Sequence, residues 1–192
     1  MYDLFFQKLN EKISFTAEEQ AIISSYLTTK KLRKKQYLLQ EGDVCKTIAF
    51  VQKGALRAYS VNEKGVENVL QFALEGWIIS DLYSFMTGEP ATYYIDAIED
   101  CELLLITKAA QEEVFAKVPK YETYSRMQIT GAYLAMQKRI TSLLSLSLNE
   151  RYLNFINIYP NIVQRVPQHM VASYLGLTPE TVSRIRKRLS AK

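Results

Sequence analysis

Between Lys31 and Thr107 no apolar run lasts long before a turn signal interrupts it. "YLLQ" gives way to "EGD", "TIAFV" to "QKG", "ALRAYSV" to "NEKG" and "VENVLQFAL" to "EG", with "ATYYIDAI" and "CELLLIT" following. About seven short strands, spaced roughly 8–12 residues apart, imply an antiparallel sandwich or barrel. Six of the seven glycines fall between Gly42 and Gly131, and four of those sit at the breaks. "ALRAYSV-NEKG-VENVLQFAL" reads as a hairpin turning around Asn62–Gly65.

The flanks have the period of a helix instead, so the fold class is α+β. Phe5, Phe6 and Leu9 make one apolar stripe, and Thr16 with Glu19 forms a capping-box pattern ahead of Ala21, Ile22, Tyr26 and Leu27. After Thr107, "KAAQEEVFAKV" stops at Pro119. Tyr121 to Leu148 then runs without proline and with one glycine, Gly131. Tyr133, Met136, Ile140, Leu143 and Leu144 line one side of this helix, while Tyr124, Met127 and Leu134 line a second. Two apolar stripes need two neighbours. One is the sheet domain; the other is the same helix of a second copy, or else another part of this chain. The expectation is a homodimer through a helix of about residues 120–148. Asn149 suits an N-cap and Glu150 a first turn, which sets the boundary between domains 1–148 and 149–192.

Charge is concentrated at the end. From Gln164 to Lys192 there are six basic residues and one acid, a net +5, whereas the other 163 residues hold 18 bases and 19 acids. Such asymmetry suggests a polyanionic partner. The pattern within "QHMVASYLGLTPETVSRIRKRL" names it. Counting Gln168 as position one, Val171, Leu175, Leu177, Val182 and Ile185 fall at 4, 8, 10, 15 and 18, with Ala172 at 5 and Gly176 at 9. This is the helix-turn-helix spacing. Five apolar residues form a small core, the alanine lets the second helix pass close, and the glycine takes the positive φ of the turn. Thr178 caps the second helix and Pro179 opens it, as Pro167 does for the first.

A helix of this kind enters the major groove of double-stranded DNA with its early residues facing base edges. Glu180 can accept from cytosine N4 or serve only the helix dipole. Arg184 can pair with guanine or meet only a phosphate. Thr181 and Ser183 lie within range of bases or phosphates; Arg186, Lys187 and Arg188 follow, and those off the apolar face, Lys187 and Arg188 among them, are expected to meet phosphates. Gln168, His169 and Thr178 complete the DNA-facing set.

Several function classes are excluded. Cys45, Cys101 and His169 are too few and too scattered for a zinc, haem or iron–sulfur site, so no metal or other cofactor is expected. Both cysteines read as buried filler, in keeping with a reducing cytoplasm. No apolar run of membrane-spanning length and no signal-peptide pattern is present, so no membrane partner is expected. A metal-dependent enzyme on this type of roll would need several histidines, and the sole histidine lies in the helix-turn-helix. The chain is therefore expected not to be an enzyme.

Taken together, "LLQEGD", "VQKGALRAY", "IISDLYSFMTGEPATYYIDAIEDCELLLI" and "TPETVSRIRKRL" resemble the Crp/Fnr family of bacterial transcription regulators along nearly the whole chain. Glu180, Thr181 and Arg184 stand where that family has its E-T-x-x-R recognition helix. The resemblance implies an eight-stranded cyclic-nucleotide-binding-type jelly roll (a double-stranded β-helix) as sensor, then a long dimer helix. A winged-helix-like helix-turn-helix domain follows, lacking a full wing. RNA polymerase is a further partner implied by the family. The effector pocket would be built from Ser80, Asp81, Leu82, Ala91, Thr92, Met136 and Gln137. In the cyclic-AMP-binding members a Gly-Glu-Leu stretch and an Arg-Ser pair hold ribose and phosphate. Here "SDL" and Ala91–Thr92 stand in those places, and the bidentate phosphate clamp is lost. The N-terminal cysteine cluster of the oxygen-sensing members is also missing. The effector is thus unknown and not expected to be cyclic AMP. The other reading is a ligand-sensing module that acts through protein contacts without DNA.

Overall fold

The structure is a computed structural model that describes residues 2–190. The chain forms two compact units, Met1–Ala58 with Phe72–Thr130, and Tyr59–Gln71 with Gly131–Lys192.

The first unit holds the roll except for the Tyr59–Gln71 part of its fourth and fifth strands. Eight strands, β1 (Thr28–Leu32), β2 (Tyr37–Leu39), β3 (Thr47–Lys53), β4 (Leu56–Val61), β5 (Glu67–Ala73), β6 (Ile78–Ile79), β7 (Tyr94–Ala97) and β8 (Cys101–Thr107), form two four-stranded sheets ordered β1-β8-β3-β6 and β2-β7-β4-β5. The sandwich expected from the spacing of turn signals is therefore present. Alternation along each strand sends side chains to opposite faces. Ala49, Val51 and Leu103 enter the core between the sheets, together with Leu56, Ile79 and Ile95. Phe50, Leu104 and Ile106 face outward onto a second core. That core is supplied by α1 (Asp3–Asn10), α2 (Ala17–Ser25), α4 (Lys108–Lys117) and the start of α5 (Pro119–Ser145). The Thr16–Glu19 capping box is formed as the sequence pattern requires. The β3–β4 turn needs a glycine: Gly54 has φ +95°, and a Cβ there would lie 2.5 Å from Asp100 O. One ion pair is sealed between β4 and β7. Arg57 donates to both carboxylate oxygens of Asp96, at 2.9 and 3.1 Å, with both residues buried. Cys45 and Cys101 are buried free thiols.

The second unit contains the β4–β5 hairpin, the C-terminal part of α5, and α6 (Leu148–Ile158), α7 (Pro160–Arg165), α8 (Gln168–Tyr174) and α9 (Pro179–Ser190). The hairpin turns where the sequence placed it. Asn62 Oδ1 accepts from Lys64 N and Val66 N, and Gly65 takes φ +75°. The long helix ends at Ser145, and α6 is capped by Ser147, not Asn149. The reason is a capping box: Ser147 Oγ accepts from Glu150 N, while the Glu150 carboxylate accepts from Ser147 N at 2.9 Å. Two orphan donors are satisfied together, which Asn149 could not achieve because the acid lies only one residue away.

Candidate functional site

The helix-turn-helix is built from α8 and α9. Val171, Ala172, Leu175, Val182 and Ile185 are all buried, Ala172 and Val182 almost completely. Leu177 is partly buried and its N–H returns to Ala172 O, closing the turn behind Gly176, whose φ is +65°. Thr178 Oγ1 accepts from Thr181 N at 3.2 Å, so Thr178 caps α9 as its position suggested. Pro179 is the first residue of that helix, whereas Pro167 sits one place earlier, as the N-cap of α8.

Because Val182 and Ile185 face inward, the rest of α9 is left to solvent. Glu180, Ser183, Arg184, Lys187 and Arg188 are exposed, as is His169 at the start of α8. Thr181 is half-buried beneath Thr178. Gln168 links the two helices: its Oε1 accepts from Arg186 and its Nε2 donates to Pro179 O. The Glu180 carboxyl is held below the usual carboxylate range by its own N–H at the helix start and then by the Thr178 hydroxyl. It therefore stays an acceptor, the state required to take a hydrogen bond from a base amine. The Arg184 side chain makes no hydrogen bond or ion pair among the described residues.

The same unit holds a clamp that the sequence did not announce. Arg139 of α5 donates to Leu70 O (2.6 Å) and Val69 O (3.0 Å) on β5, and to Tyr174 O (2.8 Å) at the end of α8. Its guanidinium lies 4.0 Å from the Tyr174 ring centroid. Beside it, Ser173 Oγ accepts from Val69 N and donates to Glu67 O. Strand β5 is the edge of its sheet, so these side chains occupy its open hydrogen-bonding row. Met136 and Gln137 lie exposed on α5 in this unit, as do Tyr133, Leu134, Ile140 and Leu144.

The other expected effector residues lie in the first unit, around α3 (Leu82–Thr87). Asp81 is buried and caps that helix by accepting from Ser84 N at 3.0 Å. Ser84 Oγ accepts from Cys45 N and donates to Glu89 O. Ala91 is buried, and its backbone is paired on both sides: Ala91 N donates to Asp43 O, and Gly42 N donates to Ala91 O, each at 2.8 Å. Leu82 and Thr92 are exposed. A cavity of about 460 Å³ opens nearby, lined by Leu38, Leu39, Cys45, Thr47, Ile95 and Leu105, with Lys30, Asp43, Val44, Lys46 and Ser80. Ser80 is the one expected effector residue among its walls; Lys30 and Lys46 had no signal in the sequence reading. Burial raises the Cys45 thiol against the lowering effect of hydrogen bonds with the Asp81 and Thr47 backbone, and burial raises the Tyr93 phenol, which donates to Ser80 O.

Comparison with known proteins agrees with this architecture. The cyclic nucleotide-binding domain family matches residues 29–118. The fumarate and nitrate reduction regulatory protein of Vibrio cholerae is 24% identical over 190 residues, covering 92% of this chain and 75% of that protein. Among solved structures, FixK2 from Bradyrhizobium japonicum superposes with a TM-score of 0.73 at 20% identity, over 86% of this chain and 85% of FixK2. The c-di-GMP responsive global regulator CLP of Xanthomonas campestris gives 0.74 at 16%, covering 92% of each chain. The Crp/Fnr resemblance read from short motifs thus extends through the fold and nearly the full length.

Proposed function

We propose that this chain, a Crp/Fnr-type regulator in sequence and fold, works as a homodimer on double-stranded DNA, reading an inverted repeat with α9. The observation that carries the reading is the division of α9 into two faces. Val182 and Ile185 are buried against α8, and Glu180, Ser183, Arg184, Lys187 and Arg188 stand free in solvent. Twelve residues make a rod about 18 Å long, suited to a major groove. Arg184 and Glu180 act on base edges, and Lys187 and Arg188 on phosphates. Residues 149–192 serve as the DNA-binding domain and residues 1–148 as sensor and dimer helix. Exposed Tyr133, Met136, Ile140 and Leu144 recur at helical spacing on α5 and form the dimer seam. The cassette around Asp81 and Ala91 does not take cyclic AMP, since it offers no cation to the phosphate.

Selection of bound duplexes from a random pool tests this. The expected product is an inverted repeat with half-site centres about one helical turn apart, roughly 34 Å, bound with a steep inverse dependence on salt. Ile140→Asp should yield monomers by sedimentation and lose the repeat, because a charge at the seam is costly to desolvate. A wild-type mass of one chain at micromolar concentration, or no enriched sequence, defeats the reading.

A further inference from the structure

We propose that the cavity between β1, β2, β7 and β8, which shares only Ser80 with the expected effector residues, is a small-molecule site, and that it takes a monoanion with an apolar body. Its volume of about 460 Å³ lies inside the range of roughly 300–1,000 Å³ common for ligand pockets. Leu39 and Ile95 belong to the core between the sheets, and Leu38 and Leu105 pack against it, so the inner wall is hydrocarbon.

The charge comes from the alternation of β1. Leu32 points into the inter-sheet core, so Lys30, two residues earlier, points the same way. Its neighbour Lys31 points outward and meets Glu102 at 3.4 Å. Lys30 is partly buried and lines the cavity, and its side chain makes no hydrogen bond or ion pair among the described residues. A partly buried lysine side chain without a counter-ion gains from an anion seated beside it. Lys46 stands on the rim, likewise unpaired among the described residues. Asp43, also on the rim, is the one acid in the lining. Two cations and one carboxylate leave a single positive charge, which matches one negative charge on the ligand. The Thr47 and Ser80 positions lie along the same wall and add hydroxyl groups to orient it.

This site is independent of DNA binding, and no arm of its test uses DNA. The probes are 4-phenylbutyrate and octanoate with their neutral amides, titrated into the full-length protein and followed by amide TROSY spectra. At least one acid should shift the amides of Val44–Thr47, Ile95 and Leu105 and bind at least tenfold more tightly than its amide. Lys30→Met, which keeps the strand apolar and folded, should reduce the acid to the affinity of the amide and leave the amide unchanged. Lys46→Gln should weaken the acid by a smaller factor. Equal binding of acid and amide overturns the proposal. So do shifts confined to α5 or α3, an unaltered acid affinity in Lys30→Met, or the absence of shifts from both acids at about 10 mM.

Discussion

Arg139→Met would open the clamp at the edge of β5 and leave the rest of α5 intact. Methionine keeps most of the apolar stem and removes three hydrogen bonds, to Leu70 O, Val69 O and Tyr174 O. It also removes the guanidinium stacked on Tyr174. A hydrogen bond from a charged donor is worth about 1.5–3 kcal/mol, and the cation–π contact about 0.5–2 kcal/mol. Against this, Arg139 is itself desolvated: burial draws its pKa below the ordinary value, and its Nε is buried without an acceptor. Taking about 1 kcal/mol net for each bond gives a local loss of about 2–4 kcal/mol. The Val69 amide reports it directly, because its acceptor is Ser173 Oγ beside the clamp. Hydrogen exchange at Val69 should accelerate by at least ~30-fold, since about 1.4 kcal/mol is a factor of ten. Leu104, in the other unit, should exchange as before. Tyr174→Leu should recover part of the same effect, with a coupling of about 1 kcal/mol in a double-mutant cycle. If Val69 exchanges less than threefold faster in Arg139→Met, the hydrogen-bond reasoning is wrong.

Three further outcomes are expected. Asp96→Ala leaves the Arg57 guanidinium buried without its carboxylate and should lower stability in urea by about 3–5 kcal/mol; a loss under about 1 kcal/mol would show that the pair is not sealed. Arg184→Ala should weaken the selected operator by about 1–3 kcal/mol and relax preference at one base pair per half-site, while Lys187→Ala should weaken every duplex alike and lower the salt slope by about one; an unchanged consensus from the Arg184 variant contradicts base reading. Burial pushes the Cys101 thiol up to about 11 and raises Cys45 as well, so both should resist iodoacetamide at pH 8 until the protein is unfolded; rapid labelling of the native protein would count against the buried placement.

Local rules carried the sequence reading furthest where one segment contains its whole explanation. The helix-turn-helix is such a case: seven residues between Val171 and Ile185 fix core, turn and close approach within one short window. The hairpin at Asn62–Gly65 and the Thr16–Glu19 capping box are others. The α6 cap was misread because "SLSLNE" offers three capping residues, and only Ser147 stands three before Glu150. What escaped was long-range. Nothing near Ser173 marks it as the partner of Val69, 104 residues away, and nothing near Arg139 marks it as a clamp. Lys30 escaped for a different reason. "TTKKL" has a single apolar residue, and its inner face is recognisable only once Leu32 is known to enter the core.

The loop around α3, read from the sequence as an effector cassette, uses polar groups of Asp81 and Ser84 internally. Asp81, in the place of the ribose-binding acid, gives its carboxylate to Ser84 N. Ser84 in turn ties the loop at Cys45 to the carbonyl of Glu89. Ala91, in the place of the phosphate-binding arginine, is not a vacancy waiting for a longer side chain. It is packed with Cys45 and Phe85 in the inter-sheet core, and its N–H and C=O are both committed to the Gly42–Asp43 turn. An arginine at that position would have to push through packed hydrocarbon before its guanidinium could reach solvent or ligand, and overpacking of that kind costs about 1–3 kcal/mol. A cyclic phosphate brought to this loop would find no guanidinium fork at residue 91, and the Ser84 hydroxyl is already donated to Glu89 O. The cavity beside it has the opposite character, with the Lys30 side chain unpaired among the described residues in its lining. In the proposed site the anion-attracting charge comes from the inner face of β1 at Lys30 and not from residue 91.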